Sequence, residues 1–195
     1  KTAVAALAMA VAVGANAQAA LMAPTSILAE QHHRTLSTLL PTLNVKLLLG
    51  STPAAEKQAI YDGLRDGTIN IVIGTHALIQ EKVEFKNLGL AVVDEQHRFG
   101  VAQRATLRGK GGNPHLLSMT ATPIPRTLAL TVYGDLDVSI LDEMPPGRLP
   151  IDTRVIYINE RERAYAFIRQ QIIDGRQAFV ICPLVEESDR IEAKA

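Results

Sequence analysis

One run of the sequence decides the fold: Leu90-Ala91-Val92-Val93-Asp94-Glu95-Gln96-His97, in which four apolar residues lead directly into two carboxylates, an amide and an imidazole. This pattern predicts a buried strand of a parallel sheet whose C-terminal end enters a crevice. In open α/β sheets, ligands bind at that end of the strands. A nucleoside-triphosphate site needs a carboxylate there for Mg²⁺ and a group that orients the attacking water, and Asp94 and Glu95 could supply both. The alternative is a strand that runs into a solvated acidic turn.

The composition is that of a folded α/β protein with an aliphatic core. The chain has 195 residues, of which 47% are hydrophobic and 4% aromatic, with no Trp. This length suffices for one good core and the beginning of a second. A single cysteine excludes an intramolecular disulfide and favours a reducing compartment, so we expect a cytoplasmic protein. No apolar run approaches the roughly 20 residues of a membrane span, so no membrane partner is expected.

Charge is unevenly distributed along a chain whose formal net charge is zero. Between residues 98 and 126 the basic residues are not interrupted by any acid, and they are Arg98, Arg104, Arg108, Lys110 and Arg126. Such a stretch predicts either a local basic surface suited to phosphates or an ordinary solvated face.

The first residues allow two interpretations. Lys1-Thr2 precedes an almost entirely apolar segment, Ala3 to Val13. The segment could be a secretory signal, although only one basic residue and no initiating Met precede it. It could equally be a helix buried between a sheet and its neighbours. In that case Lys1-Thr2 would be the end of a phosphate-binding loop, Gly-x-x-x-x-Gly-Lys-Thr, and Lys1 must lie beside the Asp94-Glu95 pair at adjoining strand ends.

Apolar strands alternate with helical segments along the first two thirds of the chain. The expected strands are Ala19–Met22, Val45–Leu49, Ile69–Gly74, Leu90–Val93 and His115–Met119. The helices between them are predicted to begin near Thr25-Ser26 and at Pro53, the second with Thr52 as its cap. On the first of these helices, His32 and His33 are expected to be solvated. The pattern predicts a parallel sheet with helices on both faces and right-handed crossovers.

A cluster of Pro and Gly predicts a domain boundary. Pro145-Pro146-Gly147 and Pro150 interrupt both strand and helix, which indicates a linker at 145–152 after a first domain at 1–144. Residues 153–195 would begin a second α/β domain with a strand at Thr153–Ile158, a helix to about Ile173 and a strand at Gln177–Pro183.

Five short motifs occur in the order found in superfamily 2 helicases, which this chain resembles. They are Lys1-Thr2, Ala23-Pro24-Thr25 with Ala29-Glu30-Gln31, Gly74-Thr75-His76, Asp94-Glu95-Gln96-His97 and Thr120-Ala121-Thr122. Three longer runs, 94–101, 119–130 and 133–140, are similar to the RecG family of bacterial branch-migration DNA helicases. The resemblance implies a RecA-like domain of the P-loop NTPase type, followed by the start of a second one.

The resemblance also assigns nucleotide-binding roles, with ATP and Mg²⁺ as the implied cofactors. Lys1 would neutralise the β- and γ-phosphates, the Thr2 hydroxyl and Asp94 would hold Mg²⁺, and Glu95 would be the general base. Gln96 and His97 would sense the γ-phosphate and pass the change to the coupling residues, which are Thr120, Thr122 and Arg126.

The implied nucleic-acid partner is branched DNA, forks and Holliday junctions included. The residues expected to offer backbone N–H groups and hydroxyls to the phosphates of one strand are Pro24, Thr25, Gly74, Thr75 and His76. Arg98, Arg104 and Arg126 are further candidates for phosphate or interdomain contacts.

The intact enzyme would be a monomeric bacterial motor that translocates on double-stranded DNA. This sequence does not contain the glycines of the phosphate loop, helicase motifs V and VI, or a wedge domain, so we expect the 195-residue chain alone to be inactive. Two alternatives remain. One is a related superfamily 2 motor, such as a transcription-repair coupling or replication-restart helicase. The other is a non-catalytic, exported α/β binding module.

Overall fold

The computed structural model describes residues 1–121, 137–141, 143, 147 and 149–181. The chain divides into two compact units, Lys1–Leu136 and Asp137–Ala195, which are described separately. The predicted linker at 145–152 lies partly outside the described residues and stays a prediction.

A five-stranded parallel sheet organises the first unit, as the alternating pattern predicts. The strands are β1 (Gln18–Met22), β2 (Val45–Leu48), β3 (Ile71–Gly74), β4 (Leu88–Val93) and β5 (His115–Ser118), in the order β2-β3-β1-β4-β5. The described residues of this unit form the helices α1 (Thr2–Gly14), α2 (Ser26–Leu39), α3 (Ala54–Asp66) and α4 (Val101–Arg108), with 3-10 turns at His76–Ile79 and Gln96–Arg98.

Helices cover both faces of the sheet, so two apolar cores form. On one face, Ile60 and Leu64 of α3 pack in a cluster with Val72 and Ala91. On the other face, α1 and α2 pack over residues that alternate with these along the strands, such as Ile71 and Val92. The alternation follows from the period of two in a strand.

Helix α1 is a part of this domain, but the expectation that it is buried all round is wrong. It packs against β1, β4 and α2, and Ala5, Ala6 and Met9 are buried. Its other face is open: Leu7 is 69% exposed, and Val4 and Val11 are also exposed. A helix covers a single sheet with one face only, and no other described element lies over the second face. No helix in the described parts of the chain has the length and apolar character needed to cross a membrane.

The helix ends are set by local hydrogen bonds, and one of them differs from the prediction. Thr25 caps α2 as expected, its Oγ1 accepting a hydrogen bond from Leu28 N at 3.3 Å. Thr52 does not cap α3. Its Oγ1 accepts from Leu49 N at 2.9 Å, which closes the turn after β2, and Pro53 takes the cap position without a side-chain bond. Helix α3 ends at Asp66, and Gly67 follows it in the left-handed conformation at φ 85°.

The second unit contains the predicted helix but not the predicted strands. Helix α5 (Arg161–Ile173) follows a 3-10 turn at Ile158–Glu160. Residues 153–157 and 177–181, the described parts of the two expected strands apart from Ile158, form no strand. A strand needs a neighbour for its N–H and C=O groups, and neither segment pairs with another described one. None of the described residues after 136 is buried.

Candidate nucleotide and nucleic-acid site

The candidate site lies at the C-terminal edge of the sheet, where the segment after β4 is held between its neighbours. Asp94 N donates a hydrogen bond to Met22 O at 2.9 Å, so the pairing with β1 continues past the strand. On the other side Met119 N donates to Val93 O at 2.8 Å, and Gln96 N donates to Met119 O at 3.2 Å. These bonds fix the backbone from which Asp94 and Glu95 project.

Lys1 meets the acid pair at this edge. Its Nζ lies 3.6 Å from Glu95 Oε1, and both side chains are partly shielded from solvent. Thr2 is the first residue of α1, so its side chain belongs to a helix N-terminus, where backbone N–H groups favour anions. The first and fourth motifs, about ninety residues apart in sequence, therefore come together as the interpretation requires.

Glu95 adopts a strained backbone conformation, with φ 50° and ψ 54° in the left-handed region. For a residue other than glycine this costs about 1 to 3 kcal/mol, and such strain concentrates at functional sites. The conformation turns the side chain between Lys1 and the loop after β5, where Glu95 Oε2 accepts a weak hydrogen bond from Ala121 N at 3.4 Å. The sequence analysis includes Ala121 in a motif but assigns it no role, because a backbone contact does not depend on residue type.

His32 is a further residue of the site, and the expectation that it is solvated is wrong. It is 8% exposed, and its Nε2 lies 2.8 Å from Asp94 Oδ2. Helix α2 packs on the sheet through a stripe, Ala29, His32 and Leu36, that directs the imidazole to the end of β4. The sequence contained a signal for this burial, because Ala29, His32 and Leu36 are three and four residues apart, which is the spacing of one buried helix face. His33 is half-buried, with Nε2 3.4 Å from Val45 O.

The environment of Asp94 keeps its carboxyl group ionised. Burial raises its pKa, but the hydrogen bond and charge of His32, the charge of Lys1 and a bond from the Glu95 backbone together hold the pKa below its usual value. An ionised carboxylate only accepts hydrogen bonds, so His32 Nε2 is the donor in this pair.

The residues present fit a magnesium-bound nucleotide. Asp94 Oδ1 is buried and accepts no hydrogen bond from the described part of the chain. Leaving a buried carboxylate oxygen unpaired is costly, and a cation or its bound water would satisfy it. No group of three or more His, Cys, Asp or Glu side chains that could hold a metal ion occurs among the described residues. Mg²⁺ suits this arrangement, because it is commonly held by one or two carboxylates together with phosphates and waters.

The remaining nucleotide and coupling candidates are described only in part. Gln96 is buried, and its Nε2 has no hydrogen-bond partner within the described residues. For His97 only the backbone is described, within the 3-10 turn after Glu95. Thr120 lies next to Ala121 in the loop after β5, whereas Thr122 and Arg126 lie outside the described residues.

The five residues expected to contact DNA share one stretch of the same edge. Strands β1 and β3 are neighbours, and Ala23 N donates to Gly74 O at 2.8 Å, which brings Pro24-Thr25 beside Gly74-Thr75-His76. The Thr25 hydroxyl accepts the helix-capping bond, so its O–H is still able to donate to a phosphate. His76 is exposed, and its ring lies 5.5 Å from that of Phe99.

The predicted basic surface is smaller than the sequence suggests. Lys110 Nζ donates to Gln80 O at 2.7 Å and to Val83 O at 2.8 Å, so it ties two loops together instead of facing a ligand. Burial lowers its pKa, an effect that Glu84 and Glu81 oppose. Arg98 remains exposed, and the side chain of Arg104 lies outside the described part.

Comparisons with known proteins find RecG helicases that are similar to this chain. A RecG ATP-dependent DNA helicase from Synechocystis is 54% identical over all of this chain and 24% of its own length. The RecG of Bacillus subtilis is 50% identical over all of this chain and 29% of its own length. The solved structure of RecG bound to a three-way DNA junction has a TM-score of 0.78 at 48% identity, covering 94% of this chain and 25% of that one.

The chain thus spans about a quarter of the length of these relatives. It resembles them along its whole length, which confirms the similarity to RecG inferred from the motifs. The family model for DEAD/DEAH box helicases matches residues 1–131, which include every described candidate residue of the site. The chain belongs to the DEAD/DEAH box helicase family.

Proposed function

We propose that this chain is the nucleotide-binding part of an ATP-dependent motor that translocates on double-stranded DNA and acts on forks and Holliday junctions. The observation that carries the proposal is the meeting of Lys1, Asp94 and Glu95 at one edge of the sheet, with Lys1 Nζ 3.6 Å from Glu95 Oε1. The RecG relatives, one of them solved on a three-way DNA junction, support the choice of branched DNA as substrate. We expect the motor to work as a monomer in the bacterial cytoplasm.

The nucleotide roles follow from the charges and positions of four residues. Lys1 neutralises the β- and γ-phosphates, and the Thr2 hydroxyl and Asp94 Oδ1 hold Mg²⁺. When bound, magnesium ATP supplies a phosphoanhydride whose hydrolysis drives the motor. Glu95 orients the attacking water and accepts its proton, since Lys1 holds its carboxylate at the site from one side and Ala121 N from the other.

The loop after β5 connects this chemistry to movement. Gln96 and His97 follow the two carboxylates, and the buried amide of Gln96 offers a donor toward the γ-phosphate. The contact between Glu95 Oε2 and Ala121 N links the site to Thr120, and through that loop to Thr122 and Arg126 as coupling residues. Through these residues the site would couple the state of a bound nucleotide to the position of this loop.

Pro24, Thr25, Gly74, Thr75 and His76 bind the phosphates of one DNA strand. Pro24 has no N–H and Gly74 is buried, so the donors here are the N–H groups of Thr25, Thr75 and His76 and the two threonine hydroxyls. Such groups at the ends of adjacent strands give contacts that hold the backbone of DNA without reading its sequence. Such binding suits a motor that must step along any duplex.

The proposed site is tested by Glu95→Gln in a full-length protein carrying this sequence. The amide keeps the size of the side chain but cannot accept the proton of water, so we expect ATP to bind and its DNA-stimulated hydrolysis to fall by about 10²-fold or more. Glu84→Gln is the matched control, because Glu84 is exposed, pairs with Arg65 and precedes the start of β4, whereas Glu95 follows the end of that strand. Hydrolysis by Glu95→Gln at a near-normal rate would remove Glu95 from the proposed role.

A further inference from the structure

His32 is a buried imidazole next to the candidate site, and none of the roles above uses it. Its Nε2 lies 2.8 Å from Asp94 Oδ2, across 62 residues of sequence. Both side chains are almost fully shielded from water. A polar pair buried this deeply has to be satisfied internally, and here each group is the partner of the other.

The two oxygens of Asp94 have different surroundings. Oδ2 accepts the hydrogen bond from His32, whereas Oδ1 is buried and without a partner among the described residues. The terminal torsion of an aspartate is broad and roughly two-fold, so rotation would readily move either oxygen. A bond that holds Oδ2 therefore also holds the direction of Oδ1.

The imidazole is itself held by a rigid element. His32 lies on the face of α2 that packs on the sheet, between Ala29 and Leu36, which are fully buried. Helix α2 is capped at its start by Thr25, and close packing around the buried ring restricts its rotation. The donor is thus fixed relative to the end of β4.

We propose that His32 is a positioning residue for metal binding, since its Nε2 holds Asp94 Oδ2 and leaves Oδ1 directed toward Mg²⁺. The inference rests on the proposed role of Asp94 as the metal ligand. Hydrogen-bond partners of ligating groups orient them, and their loss typically weakens metal affinity by about 10- to 100-fold. A pair that only stabilises the fold would not change metal affinity in a variant that stays folded.

The test uses a full-length protein carrying this sequence, with three substitutions at His32 and one next to it. His32→Leu removes the donor at similar size. His32→Gln places an amide N–H close to the position of Nε2, whereas His32→Asn is one bond too short to reach it. His33→Gln is the matched control, because His33 is the adjacent histidine and faces Val45 O instead of Asp94.

The readout is the affinity for Mn²⁺ in the presence of a non-hydrolysable ATP analogue, measured by electron paramagnetic resonance. The melting temperature without nucleotide is recorded for each variant. We expect the affinity for Mn²⁺ to fall by about tenfold or more in His32→Leu and His32→Asn. In His32→Gln and His33→Gln it should change by less than about threefold.

The outcomes separate this inference from the proposed function on which it rests. Asp94→Asn is measured alongside, and it should abolish Mn²⁺ binding if Asp94 is the ligand. If Asp94→Asn abolishes binding while His32→Leu retains normal affinity, the inference is overturned and the proposed site stands. If Asp94→Asn binds normally, both are wrong. If His32→Leu does not fold, the comparison of His32→Gln with His32→Asn decides. Equal affinity for Mn²⁺ in those two variants overturns the inference.

Discussion

Gln18 joins three separate segments at the N-terminal end of the sheet through one buried side chain. Its Nε2 donates to Leu64 O at 3.0 Å and to Ile69 O at 2.8 Å, and its Oε1 accepts from Asn87 N at 3.1 Å. The amide thus satisfies backbone groups at the end of α3 and before β3 and β4. Its position as the first residue of β1 allows this, because those chain segments all reach the same edge.

Replacing Gln18 with leucine should destabilise the domain strongly. The substitution keeps the size of the side chain but leaves Ile69 O and Asn87 N without their partner, so we expect the free energy of unfolding to fall by about 2 to 4 kcal/mol. Leu64 O keeps its bond from Lys86 N at 3.0 Å. Denaturant unfolding of the domain measures the change. Gln58→Leu is the control, since Gln58 is exposed and its Nε2 donates to Asp62 one turn away, and it should change stability by less than about 0.5 kcal/mol. Equal effects in the two variants would contradict this role of Gln18.

Strands β2 and β3 approach so closely at their C-terminal ends that a side chain does not fit there. A Cβ added to Gly74 would lie 2.2 Å from Leu48 O and 3.0 Å from Leu78 Cγ. The first contact is with backbone, which cannot move without breaking the pairing of the two strands. Glycine at position 74 is therefore required by the fold as well as by its proposed part in DNA binding. A loss of function in a Gly74 variant must be compared with the stability of that variant.

We expect Gly74→Ala to lower the free energy of unfolding by about 2 kcal/mol, the usual cost of forcing a methyl group into a packed region. Thermal and denaturant unfolding are the measurements. Gly50→Ala makes the same chemical change in the turn after β2, where nothing lies within 4 Å of the added carbon, so it should be nearly neutral. The explanation fails if the two substitutions have the same effect.

At the scale of the whole molecule, the described residues of the two units differ in how many of their apolar side chains are buried. The first unit has apolar cores on both faces of its sheet. In the second unit no described residue is buried, and apolar side chains such as Val155, Ile158 and Phe179 are exposed. One unit therefore has a core of its own and the other, as described, does not.

This difference leads to a prediction about the chain in isolation. Motors of this kind bring a second folded domain over the nucleotide, which adds positive charge and excludes water. We therefore expect the isolated 195 residues to show no DNA-stimulated ATP hydrolysis, while a full-length protein carrying them hydrolyses ATP. A steady-state phosphate-release assay measures both, with circular dichroism as the check that the isolated chain is folded. Significant turnover by the isolated chain would refute the prediction.

The sequence by itself determined the parallel sheet and most of its strands, because alternating apolar runs and helix signals are local patterns. It also predicted that Lys1 lies beside the Asp94-Glu95 pair, since motif order and strand ends can be read from the sequence. In the second unit local pattern was misleading: the segments 153–158 and 177–183 look like strands, but strand formation depends on a partner.

Only the tertiary structure decided the surroundings of the site residues. It paired His32 with Asp94, turned Glu95 toward Ala121 N and removed Lys110 from the basic surface. None of these can be inferred from residue spacing alone, because each joins side chain or backbone atoms more than twenty residues apart. The physical reason is that local sequence sets the conformation of each segment, whereas the packing of segments sets which polar groups are buried together.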